Sequence, residues 1–488
     1  MIFFPHDAHL SSRCSEAGPR PVRKVVIKVP VALIQLPTER GLSSPQNGDF
    51  RLYNLCMLDS PDLILSTGLV PESDSVFTNA ERQALRGLAG QAAELAARPI
   101  ETEKCALWSQ HNALKPTRPV IFCDPENSWN EIIPPEALAC QNPIARAWEF
   151  HLRKQVFWGA EMGDDYTVLP YFPVEHVHQE PDWGLRQVQI GGKDGGAYRW
   201  DAPVKTEEDI DRLHFPLLRV DFAATQRLAE LAHSIFGDLL PPTIKTSWWW
   251  TLGLTQTLVY LRGLEQMLYD MTDNPRLMHR LMALLSQGTA ALLDALQAAS
   301  LLFLNCDGTY VGSGGLGWSE ELPKKDHGGQ VRTQDMWALG ESQESIGVSP
   351  RMFAELIFPY QLPLLERFGL TCYGCCEPVD NRWPILKQIP NLRRVSVSPW
   401  SDRAKMAENL GDRYIYSMKP NPANLAMETF DEERIRLALR RDLQATHGCR
   451  VEVIMKDNHT IRRDPTRLIR WVRIAREEAE RDTPGRAP

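Results

Sequence analysis

From about residue 105 onward the chain alternates short apolar runs with helix-patterned segments, and this alternation limits its fold more than any other feature. The runs are "RPVIFCD" (118–124), "DYTVLPY" (165–171), "TIKTSWWW" (243–250), "SLLFLNCD" (300–307), "LTCYGCC" (370–376), "RRVSVSPW" (393–400), "RYIYSMKP" (413–420) and "CRVEVIMKD" (449–457). Most are followed by a helix start. Asn274-Pro275 and Ser349-Pro350 each set a capping side chain before a proline suited to the first turn. Thr429 to Glu432 fits a capping box, after which Ile435, Leu439 and Leu443 share a face. Asp464-Pro465 opens a last helix carrying Leu468, Val472 and Ala475. Strands separated by helices pair in parallel, and about eight such units predict a (β/α)8 barrel, with a doubly wound open sheet as the alternative. For the fourth strand, "SLLFLNCD" competes with "DMWALGE" (335–341).

Residues 1–75 mix Pro, Ser and Gly around one β-like run and show no sustained helical period. They read as a poorly ordered extension, leaving 76–488 as the barrel domain. That domain begins with an N-terminal helical extension: Leu85, Leu88, Ala92 and Leu95 recur at helix spacing after the candidate cap Asn79. A net charge of −8 with no long basic run argues against nucleic acid as a partner. No apolar run reaches the roughly 20 residues that span a bilayer, so no membrane partner is expected. Ten scattered cysteines form no disulfide framework. Together with the lack of a signal pattern, this makes the cytoplasm the expected compartment.

Two stretches carry chemistry. "GSGGLG" (312–317) matches a dinucleotide fingerprint, but Pro323 and Gly328-Gly329 interrupt the helix that must follow. The expectation is a mobile loop at the site mouth, with Trp318 facing substrate, or a surface insertion. "GLTCYGCCEP" (369–378) is a strand end in which Cys375, Cys376 and Glu377 follow a glycine. The last strand ends in "MKDNHT", offering Lys456, Asp457, His459 and Thr460. In a barrel such ends face the reaction site, and thiolate, carboxylate and imidazole can hold zinc there. Inert packing of the cysteines and a strand-capping role for His459 are the alternative.

Residues from about 80 to 480 resemble the uroporphyrinogen decarboxylase superfamily, in its branch of cobamide-dependent methyltransferases. The resemblance rests on "SWWWTLGLTQTLVYLRGLEQMLYDMTDNPRLMHRLM", "ESQESIGVSPRMFAELIFPYQLPLLERFGL" and "RRDPTRLIRWVRIAREE". Methyltransferase members hold zinc through a His-x-Cys on the fifth strand and a Cys after the eighth. Here those positions read Tyr373-Gly374-Cys375 and Asn458-His459. The implied zinc ligands are therefore Cys375, with Cys376 or Glu377, and His459. The decarboxylases grip tetrapyrrole propionates with an arginine-rich loop. The corresponding "CDPENSWNEIIPPEA" has no arginine and is acidic, which argues against that substrate.

The resemblance implies methyl transfer between a small-molecule donor or acceptor and a corrinoid carried by a partner protein, with zinc as Lewis acid. Glu341, Asp457 and, less directly, Glu344 are the candidate acid–base residues. Trp248, Trp318 and Tyr373 are candidates for substrate contact, with Trp249 and Trp250 beside them. A second copy of the chain is a further candidate partner. A cofactor-independent decarboxylase of small carboxylic acids and a non-catalytic binding barrel remain as alternative readings.

Overall fold

The computed structural model describes residues 76–179, 182–191 and 198–481. The expected N-terminal extension at 1–75 lies outside these residues. Eight parallel strands carry the fold: β1 (Val120–Cys123), β2 (Phe172–Val174), β3 (Pro242–Ile244), β4 (Trp337–Gly340), β5 (Leu370–Tyr373), β6 (Leu392–Val397), β7 (Ile415–Met418) and β8 (Arg450–Met455). Six form one parallel sheet in the order β1-β8-β7-β6-β5-β4, so the first strand lies beside the last. β2 and β3 form a separate parallel ladder. The segments flanking this ladder bond to the edge strands of the sheet, Asp165 N to Ile121 O on β1 and Leu252 N to Leu339 O on β4, both at 2.8 Å. The chain is thus α/β with sequential parallel strands, as expected, but the ladders do not join into a continuous ring among the described residues.

The fourth and second strands depart from the expected positions. The fourth strand is the "WALG" of the second candidate, and 301–307 carry no strand. The second strand begins at Phe172, just past "DYTVLPY". Asp165 at the start of that run, and Asp164 just before it, instead bond the β1 backbone, accepting from Ile121 N and Cys123 N.

Helix α1 (Asn79–Ala96) is capped one residue earlier than expected. Thr78 accepts from Glu81 N at 3.2 Å and Glu81 returns a bond to Thr78 N at 2.8 Å. Then follow α2 (Pro99–Asn112), α3 (Pro143–Phe157), α4 (Phe222–Phe236), α5 (Pro275–Ala298), α6 (Glu432–Ala445) and α7 (Thr466–Arg481). Asp431, not Thr429, caps α6. Leu85, Ala89, Trp148, Leu152, Phe172 and Phe236 bury a second core between α1, α3 and α4.

The glycine-rich segment is neither a mobile mouth loop nor a surface insertion. Tyr310–Val311 and Gly315–Leu316 pair antiparallel, and this hairpin is buried against the sheet. A Cβ on Gly312 would lie 2.8 Å from Cys372 Sγ on β5, and one on Gly315 would strike the Arg394 guanidinium on β6. Tyr310 packs edge-on against Phe122 of β1, and Trp337 Nε1 of β4 donates to Gly317 O at 2.9 Å. The glycines are there because the surrounding strands leave no room for side chains.

Candidate active site

Because the strands run parallel, their C-terminal ends gather on one side. At the end of β5 the chain turns at Gly374, whose φ of +94° only glycine adopts without strain. Cys375 follows, buried, then half-buried Cys376. Glu377 folds back into this turn, accepting from Cys375 N (2.9 Å) and from Ser342 N (2.8 Å) beyond β4. Both its oxygens are thereby committed to pinning two strand ends together.

The Cys375 sulfur has three polar neighbours. Cys376 Sγ lies at 3.6 Å, Ser313 Oγ at the hairpin tip donates from 3.4 Å, and Lys456 Nζ beyond β8 lies at 3.7 Å. Lys456 also donates to Ser313 Oγ at 3.2 Å and pairs with Glu126 and Asp457, each at 3.5 Å. Asp457 Oδ2 is 3.6 Å from Cys376 Sγ. Contact with Cys376 and the Lys456 charge hold the Cys375 thiol below its usual range despite burial, whereas Cys376 is pushed well up. Burial would lower Lys456, but Asp457, Cys375 and Glu126 outweigh it and keep the ammonium charged.

A second group lies at the end of β4. Glu341 is fully buried, with Oε2 accepting from Gln343 N at 2.9 Å and Oε1 lacking a hydrogen-bond partner among the described residues. Burial, then Glu344 and Glu377, raise it well above the carboxylate range. Glu344, bonded by Thr255 Oγ1 at 2.7 Å, is raised to about 7 by burial. At the end of β7, burial lowers Lys419 to about 8.

Of the four residues named as zinc ligands, Cys375 and Cys376 stand together with sulfurs 3.6 Å apart and Glu377 shares their turn, but His459 is directed elsewhere. His459 is exposed, with Nδ1 3.0 Å from Asn127 Nδ2, and Glu377 is spent on backbone amides. Among the described residues no group of three or more His, Cys, Asp or Glu side chains is arranged to hold a metal ion. Beside Cys375 stands the Lys456 ammonium, a fixed positive charge that opposes a second cation. As these side chains stand, the named donors form no zinc site among the described residues.

The aromatic candidates have other partners. Trp248 donates to Leu301 O at 2.8 Å and packs on His176 and His178. With Trp249, Trp250, Tyr310 and Trp337 it lines a cavity of about 60 Å³, room for a water or two. Trp318 donates to Thr167 Oγ1 at 3.1 Å, and Tyr373 is buried, its hydroxyl bonded to Ser342 and Gln361. A cleft of about 520 Å³ lies elsewhere, beside Arg118 ahead of β1, where Arg118 and Arg476 both pair with Asp165. Sequence reading gave no role to Ser313 or Glu126, and it named Lys456 at the end of the last strand without assigning it one.

No family model matches the chain, and no curated protein matches it in sequence. Among solved structures it is similar to a methyltransferase from Methanosarcina mazei, with a TM-score of 0.44 and 11% identity, over 77% of this chain and 97% of that one. No helix among the described residues is long and apolar enough to cross a membrane.

Proposed function

We propose that this chain is a methyltransferase of the (β/α)8 kind in which Lys456, not a metal, supplies the positive charge. The observation that supports this reading is the Lys456 ammonium held between Cys375, Glu126 and Asp457 at the parallel strand ends. When a methyl group leaves an ether or thioether, the bonding electrons stay on the heteroatom. A nearby ammonium stabilises that developing anion, and a neutral carboxyl can protonate it. Lys456 takes the first role and Glu341 the second; Asp457 and Cys375 keep Lys456 charged. The methyl group's other carrier in this reading is a corrinoid on a partner protein, which the sequence resemblance supports.

A second reading, decarboxylation of a small carboxylic acid, draws on Lys419 and Lys456 standing at neighbouring strand ends, where two amines can receive a carboxylate. One screen separates the two. A panel of small methyl ethers and thioethers is offered to the purified chain with reduced cobalamin, and methylcobalamin formation is followed by absorbance. In parallel, carbon dioxide release from small acids is measured without any corrinoid. Methyl transfer supports the first reading, acid-dependent carbon dioxide the second, and neither leaves a binding barrel.

A further inference from the structure

Cys375 and Cys376 are adjacent in sequence, and their sulfurs are 3.6 Å apart. Two neighbouring residues on a strand end ordinarily point to opposite sides, but the turn at Gly374 brings both thiols to one side. Cys375 is 4% exposed, whereas Cys376 and Asp457 beside it are half-buried. The Lys456 ammonium lies 3.7 Å from Cys375 Sγ, placed to give a proton to an oxygen leaving group there. Cys372, the third thiol of this strand, points elsewhere and is bonded by Arg394 Nη1 at 3.5 Å.

We propose that Cys375 and Cys376 form a reversible modification site for small hydroperoxides, closing to a disulfide between neighbours. The Cys375 thiolate attacks the peroxide; an S–O bond forms, the O–O bond breaks, and the departing oxygen takes a proton to leave as water or an alcohol. The Cys376 sulfur then attacks Cys375 Sγ; the S–S bond forms, the S–O bond breaks, and hydroxide leaves with the Cys376 proton as water. The two sulfurs lose two electrons and the peroxide gains them. Adjacent Cα atoms lie about 3.8 Å apart across a trans peptide, below the roughly 4.4 Å at which unstrained disulfides begin. Thiol reductants therefore reopen the bond readily. Its consequence for turnover, loss of a negative charge beside Lys456, rests on the methyltransferase reading; the bond itself does not.

The test uses the full chain, reduced and then treated with one equivalent of hydrogen peroxide, alkylated and digested with trypsin. The peptide 368–382 carries Cys372, Cys375 and Cys376. The expected peptide is lighter by two hydrogens, alkylated only at Cys372, and fully alkylatable after dithiothreitol. Three alkylated cysteines, reductant-resistant added oxygen, or a bond to Cys372 would overturn the proposal. In Cys376→Ser the same treatment leaves oxygen on Cys375 and no bond; a surviving bond in this variant also overturns it. Turnover is followed alongside: a disulfide with unchanged turnover keeps the modification and removes Cys375 from the reaction, while intact thiols with intact turnover remove the modification alone.

Discussion

Cys375 and Lys456 set each other's charge. A thiol with an ammonium 3.7 Å from its sulfur is expected to lose that assistance when the ammonium goes. Lys456→Met should therefore move the midpoint of Cys375 alkylation upward; a midpoint that stays put would show that the two groups do not communicate. The thiol pair and Asp457 were legible in the sequence because strand-end positions were. Glu377 was not, since a carboxylate after a turn serves the turn's own amides as readily as a ligand. His459 follows β8 by four residues, far enough for the loop to carry it outward to Asn127.

At the scale of elements, the hairpin 310–316 shows why a glycine run misleads. Composition alone gives such a run freedom, whereas here it gives fit. Gly315→Ala would force a methyl into the Arg394 guanidinium, itself fixed by Glu452 at 2.9 Å and Asn112 at 2.7 Å. A loss of about 1–3 kcal/mol is expected in denaturant unfolding. Gly328→Ala, where nothing lies within 4 Å, should leave the midpoint within error. Equal effects from the two substitutions would remove the packing account. The strand–helix rhythm was legible because caps and prolines mark helix starts. The fourth strand was ambiguous because "SLLFLNCD" and "MWALG" are equally apolar, and only pairing with β5 separates them.

Across the molecule, a buried charge network joins α2 to the sheet. His111 lies 3.3 Å from Glu452, which pairs with Arg394. Burial would raise Glu452, but Arg394 and His111 outweigh it and lower it to about 2. A group lowered in the folded state contributes stability above its unfolded value, near 4.5, and that contribution is lost as pH falls through about 2. Glu452→Gln should flatten the acid limb of the stability curve. It should also cost ~3–5 kcal/mol near neutral pH by leaving Arg394 buried without its charge partner. A variant as stable as the parent at pH 7 would contradict this. The same whole-molecule reading predicts that exhaustive chelation leaves turnover unchanged; activity lost to chelation and restored by zinc would return the metal to the mechanism.

Lys456 is the residue on which methyl transfer is expected to depend most. With any methyl ether or thioether that the chain demethylates in the cobalamin screen, Lys456→Met is expected to lower turnover by ~10²-fold, the usual cost of one electrostatic donor. Lys456→Arg, which keeps the charge, should retain a measurable part of it. Turnover in Lys456→Met at the parent rate would contradict the central claim.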